Sequence, residues 1–224
     1  MNIKNFIVFS ILIATCSCKH KVKVSSPYVY NHTYHIGDIP KLNDFQTYNV
    51  YEKSFDSIMA KAQSPLHDFF KYNRGRIFIT NYENGKQKPV QKPFDLGDPV
   101  LCECELHRDS LTISVAAGFF GGFGFTINLN EDKFDLKYFE ETDGDYFKSK
   151  LTDTSFTRLV TVKSKFQTLL LDERPTMKEG QQLTGLATYT SAKYYTKGIR
   201  NMLDTAQVSG KFYFTCKTTT VAIK

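Results

Sequence analysis

Tryptophan is missing from the chain altogether, and cysteine is scarce, with five in 224 residues. Five thiols are too few to staple a domain of this size, so the fold must rest on a hydrophobic core rather than on a disulfide framework. No apolar run approaches the roughly 20 residues that a helix needs to span a bilayer, which excludes a fold built on membrane helices. Charge of one sign is never massed. Lys and Arg number 29 against 23 Asp and Glu, net +6, and they are scattered apart from one short basic cluster near the N-terminus. Without a recognition motif beside it, that mild excess implies no nucleic-acid partner. Catalytic constellations are missing too. No serine sits in a nucleophile elbow, no Ser/His/Asp set assembles, and no carboxylate cluster stands at ligand spacing from the histidines. The expectation is a non-enzymatic protein with no cofactor and no metal.

What the chain has in quantity is aromatic residues suited to strands, 19 Phe and 13 Tyr. Leu111, Ile113 and Val115 alternate with Ser110, Thr112 and Ser114, and Phe123, Phe125, Ile127 and Leu129 repeat the pattern in a second arm. Two arms with period-two alternation predict a hairpin half-buried on a core. Gly118-Phe119-Phe120-Gly121-Gly122 joins them. A phosphate-binding glycine loop feeds a helix N-terminus, whereas a strand follows here, so a turn or bulge is expected instead. Phe119 and Phe120 then either pack in the core or form a contact surface for a hydrophobic or glycan ligand. Tyr189, Tyr194 and Tyr195 supply a second candidate aromatic surface.

The remaining pattern is of the same kind. Residues 76–82 lead into Glu83-Asn84-Gly85-Lys86, which predicts a type I′ hairpin. Strands follow at 99–106, around Phe134, Leu136 and Tyr138, within 157–171, at 180–190 and at 209–218, separated by turn residues. Only residues 43–63 carry helical spacing, through Phe55, Ile58, Met59 and Ala62, and Pro65 ends it. The fold class expected is all-β, a β-sandwich or barrel-like arrangement of antiparallel sheets, with one short N-terminal helix.

Cys102 and Cys104 are two apart on a strand, so their thiols share a face with Val100 and Leu106, while Cys216 shares its face with Phe212 and Phe214. Either Cys216 forms a disulfide with Cys102 or Cys104, or all three are buried thiols filling core space. His32 and His35, three apart on a strand, place their rings on opposite faces. Glu140-Glu141-Thr142-Asp143-Gly144-Asp145 lacks the ordered ladder of a calcium loop and reads as a solvated hairpin turn.

The N-terminus carries the strongest functional signal. Lys4 precedes an apolar run from Phe6 to Ala14, and small residues and cysteine follow, which is the layout of a secretory signal. Ile13-Ala14-Thr15-Cys16 and Thr15-Cys16-Ser17-Cys18 both resemble a lipobox. Cys18 has the better small residue before it, and Cys16 the better aliphatic residue upstream. The segment is similar to those of bacterial lipoproteins of the Bacteroidetes type, which implies a lipid anchor on Cys18, with Cys16 as the alternative. It divides the chain into a signal at 1–17, a tether at 18–35 and one mostly-β domain at 36–224, with residues 25–35 reading either as tether or as an entering edge strand. Surface-exported members carry acidic residues after the cysteine, whereas Lys19-His20-Lys21-Val22-Lys23 is basic. The resemblance therefore implies the outer membrane, facing the periplasm. Asp56-Ser57-Ile58, Asp109-Ser110-Leu111 and Asp204-Thr205-Ala206 resemble the O-glycosylation tripeptide of the same bacteria.

The function expected is that of an envelope-anchored domain held to the membrane by lipid, binding an envelope protein or a glycan. An envelope hydrolase acting on glycans and a structural subunit of an outer-membrane complex are the alternatives.

Overall fold

The computed structural model describes residues 32–40, 72–89, 100–117, 122–199 and 202–220. The helix expected within 43–63 lies outside these residues. The N-terminal segment carries β1 (His32–Thr33) and β2 (His35–Ile36), and β3 (Arg74–Glu83) with β4 (Lys86–Gln87) forms the first hairpin. A meander follows of β5 (Val100–His107), β6 (Ser110–Ala117), β7 (Gly122–Asn130) and β8 (Lys133–Glu141). The short β9 (Phe147–Lys148) precedes β10 (Leu159–Leu171), β11 (Gln182–Ser191), β12 (Tyr194–Lys197) and β13 (Leu203–Thr220).

The sheet closes on itself. The strand path runs β3-β5-β6-β7-β8-β10-β11-β13, and β13 then pairs with β3 from Ala206↔Glu83 to Thr215↔Arg74. All neighbours along this ring are antiparallel. Of the two all-β architectures expected, the chain adopts the barrel. The 18 residues of β13 make closure possible. Its middle is bonded to β11 on one side and β3 on the other, and its end, Thr218 to Thr220, runs parallel to β5 at Cys104 to Leu106. Closure satisfies backbone groups that an open sheet would leave on its edges.

Alternation decides what fills the barrel. Leu111, Ile113, Val115, Phe125, Ile127, Leu129 and Leu136 are all fully buried. Phe125 stacks on Phe212 with ring centroids 4.4 Å apart and meets Tyr189 edge-on at 5.2 Å. Phe214 lies so close over Gly185 that a Cβ there would collide with its ring, so that position must be glycine. Outward positions carry Glu103, Glu105, Ser110, Thr112, Thr161 and Lys163. An apolar inside and a polar outside are opposite in sense to a barrel that faces lipid.

One stretch of the wall is irregular. β8 and β10 pair only where Lys137 to Glu141 face Lys163 to Leu159, and β10 then bulges against β11 between Ser164 and Phe166. Beyond that point the N-terminal segment lies between them, with β1 antiparallel to β8 at Phe134 and Lys133, and β2 parallel to β10 at Leu170 and Leu171. Tyr34, between β1 and β2, is buried; its N–H donates to the Asp132 carbonyl and its hydroxyl to the Glu131 carbonyl at 3.0 Å. Residues 32–36 thus belong to the barrel wall, as an entering strand and not as part of a tether.

Side chains complete the ladder where the strands part. The Tyr189 hydroxyl accepts the Tyr138 N–H at 3.2 Å and donates to the Val162 carbonyl at 2.8 Å. Gln167 Oε1 accepts the Leu136 N–H at 2.9 Å and the Ser164 hydroxyl at 2.7 Å. Two buried polar side chains stand in for backbone partners that β10 would otherwise supply.

Candidate functional site

Among the described residues, side chains fill the barrel and open spaces lie at its ends. At one end, the β5–β6 turn, the β7–β8 turn and the loop after β10 converge around a cleft of about 770 Å³. Arg108 and Asp109 line it from the first turn, Glu131 and Asp132 from the second, and Arg174 and Met177 from the loop. Glu131 and Met177 both have φ 55°, a left-handed conformation that costs a non-glycine residue of order 1 kcal/mol. Surrounding contacts hold these segments. Tyr34 fixes the Glu131 carbonyl from below, and burial raises its phenol above the usual range while the Arg174 charge opposes the shift. The Gln181 side chain clamps the loop, accepting from the Thr176 N–H at 2.7 Å and donating to the Arg174 carbonyl at 3.0 Å. The cleft therefore presents two guanidinium groups and three carboxylates on braced turns, an arrangement suited to a polar ligand that both accepts and donates hydrogen bonds.

The opposite end differs. Tyr138 continues the inward face of β8, and the next residue in step is Glu140. Glu140 Oε2 accepts hydroxyls from Tyr138 and from Tyr194, each at 2.9 Å. Burial, with Glu140 adding to it, raises both phenols well above their ordinary range, so they stay protonated donors. A pocket of about 110 Å³ lies beside this carboxylate, lined also by Tyr82, Tyr146, Glu83 and Lys88. Glu83 and Lys88 form an ion pair at 2.7 Å. Sequence reasoning assigned Glu140 to a solvated turn and missed it. The signal was present: Phe134, Leu136 and Tyr138 alternate, and Glu140 falls on the same face.

Of the two readings of Tyr189, Tyr194 and Tyr195, contact surface or core and edge packing, the structure gives packing, so the candidate surface at Tyr194 and Tyr195 is withdrawn. Tyr194 is 3% exposed and Tyr189 1%, both inside the barrel, because alternation and pairing turn them inward, and Tyr195 is half-buried on the other face of β12. Phe119 and Phe120 lie outside the described residues, as do Cys16, Cys18 and Ser57. Cys104 is disulfide-bonded to Cys216 with Cα atoms 5.7 Å apart, and Cys102 is a free, fully buried thiol. Burial pushes the Cys102 pKa up, which keeps it a thiol and not a reactive thiolate. His32 and His35 are exposed on separate short strands. Among the described residues no three His, Cys, Asp or Glu side chains gather as a metal site. Ser110 begins β6 half-buried, and the Thr205 N–H is taken by the Asn84 side chain at 2.9 Å. The chain matches no protein-family model, no curated protein and no solved structure.

Proposed function

We propose that the chain is a cell-envelope-anchored lipoprotein whose barrel binds an envelope glycan or protein at the cleft between Arg108 and Arg174, without catalysing a reaction. The observation that carries the reading is the cleft: open volume at the end of a barrel whose interior is occupied by its own side chains, built on turns braced by Tyr34 and Gln181. Its lining also carries Asp109, Glu131 and Asp132, carboxylates that the glycan-hydrolase alternative would use as well, so product release is what separates the two readings. Its arginines offer forked donors to carboxylate or hydroxyl oxygens, and its carboxylates accept from hydroxyls and amides. The anchor rests on the signal-like N-terminus with Cys18, and the basic residues Lys19, Lys21 and Lys23 would sit at an anionic headgroup layer.

Crosslinking in intact envelopes followed by affinity recovery tests the reading. The wild-type protein should recover one glycan or protein species, and Arg108→Ala/Arg174→Ala should recover at least about tenfold less of it, consistent with losing two charge-assisted contacts. Equal recovery by a double variant that unfolds at the wild-type midpoint would remove the cleft as the binding site. Release of a cleaved glycan would replace the binding reading with a hydrolytic one.

A further inference from the structure

We propose that the pocket at the Tyr194 end of the barrel binds an organic cation, an alkylammonium group carried either by a small amine or by the tip of a lysine side chain. This site lies at the end away from the Arg108–Arg174 cleft and does not depend on what that cleft binds. Glu83 is neutralised by Lys88 at 2.7 Å, which leaves Glu140 as the one uncompensated charge among the described lining residues. Glu140 is braced by neutral phenols and by no cation: Oε2 takes the Tyr138 and Tyr194 hydroxyls, and no Lys, Arg or His among the described residues pairs with it. Glu140 is half-buried at the barrel end, and its second oxygen retains lone pairs for a donor.

The walls fit the same ligand. Tyr82, Tyr146 and Tyr194 surround the space, and tyrosine rings attract cations through their negative faces. The space of about 110 Å³ admits an ammonium group with its first methylenes. A divalent metal would need several more oxygen ligands than a single carboxylate offers. An anion would meet the Glu140 charge without a free cation to offset it.

Calorimetric titration of the full-length protein tests the site with n-butylammonium, with its neutral isostere n-butanol, and with a lysine peptide capped at both ends. Either cation should bind saturably with a dissociation constant of about 1–10 mM, the alcohol should not, and the tighter of the two cations identifies the source. Glu140→Gln keeps an acceptor for both tyrosines and should weaken binding at least about tenfold. Lys88→Met frees Glu83 and should tighten binding severalfold, which keeps the test decisive should Glu140→Gln fail to fold. Butanol binding as well as butylammonium, unchanged affinity in Glu140→Gln or Lys88→Met, or no saturable binding of either cation would overturn the assignment.

Discussion

Tyr189→Phe removes one oxygen from the interior and should destabilise the barrel far more than a deletion of that size suggests. The hydroxyl sits where β8 and β10 part, accepting from the Tyr138 N–H at 3.2 Å and donating to the Val162 carbonyl at 2.8 Å. Tyr189 is 1% exposed, so water does not replace it without opening the wall. Each buried backbone group left unpaired costs about 1–3 kcal/mol, and the Val162 carbonyl keeps a second lone pair that lessens its share, so the expected loss is about 2–3 kcal/mol. With a urea m-value of about 2 kcal/mol/M, the unfolding midpoint should fall by about 1–1.5 M. Urea titration followed by circular dichroism reads this directly, and hydrogen exchange at the Tyr138 amide should accelerate in parallel. Tyr195→Phe, on the half-buried outer face of β12, is the matched control and should stay within about 0.5 kcal/mol of wild type. If Tyr189→Phe also stays within that margin, the hydroxyl is not completing the ladder and the account of the wall is wrong.

Alkaline pH should unfold the protein steeply. Burial raises the Tyr138, Tyr189 and Tyr194 phenols above their unfolded value near 10, so below about pH 10 they leave stability unchanged. Above it, the unfolded chain loses protons that the folded chain keeps, and stability should fall by about 4 kcal/mol per pH unit, at about 1.4 for each of the three; a flat denaturation midpoint between pH 9.5 and 11, in the ~1 unit around that value, would contradict their burial. Of the three cysteines in the barrel, native alkylation should label none, denaturation without reductant only Cys102, and denaturation with reductant all of them. Because the Cys104–Cys216 bridge closes a separation of 112 residues, Cys216→Ser should cost about 3–5 kcal/mol in urea unfolding. Tyr34→Ala should cost about 3 kcal/mol by the same assay, since it empties a buried site and frees the Glu131 carbonyl; a neutral result would show that the N-terminal strand is not part of the wall. Palmitate fed to cells should label the protein, and Cys18→Ser should abolish the label while Cys16→Ser does not; absence of label in wild type would refute the anchor.

Much of the barrel was readable because period-two alternation is local. The β6–β7 hairpin pairs from Leu111↔Leu129 to Ala117↔Phe123, and every apolar residue of its two alternating arms faces the core or packs against it. Asn84 and Gly85 have φ 49° and 78°, the double positive that the Asn-Gly dipeptide predicts. Glu140 was equally readable, since its place in the β8 alternation is local, but the turn residues that follow it drew the assignment outward. Tyr194 was harder. Residues 192–193 interrupt the strand, and alternation carried from β11 has no fixed phase across such a break.

By itself, then, the sequence determined the all-β class, the central strands and their apolar faces, the Asn84-Gly85 turn, and that the N-terminus resembles an export and lipidation signal. Each of these depends on neighbours a few positions apart. Only the tertiary structure decided that β13 meets β3 and closes the ring, that Cys104 and not Cys102 meets Cys216, that residues 32–36 enter the wall, and that Tyr138, Tyr194 and Glu140 converge at one end. Alternation says which way a side chain points and nothing about the strand it will face. The partner is selected by packing the whole interior at once, through contacts between residues a hundred or more positions apart.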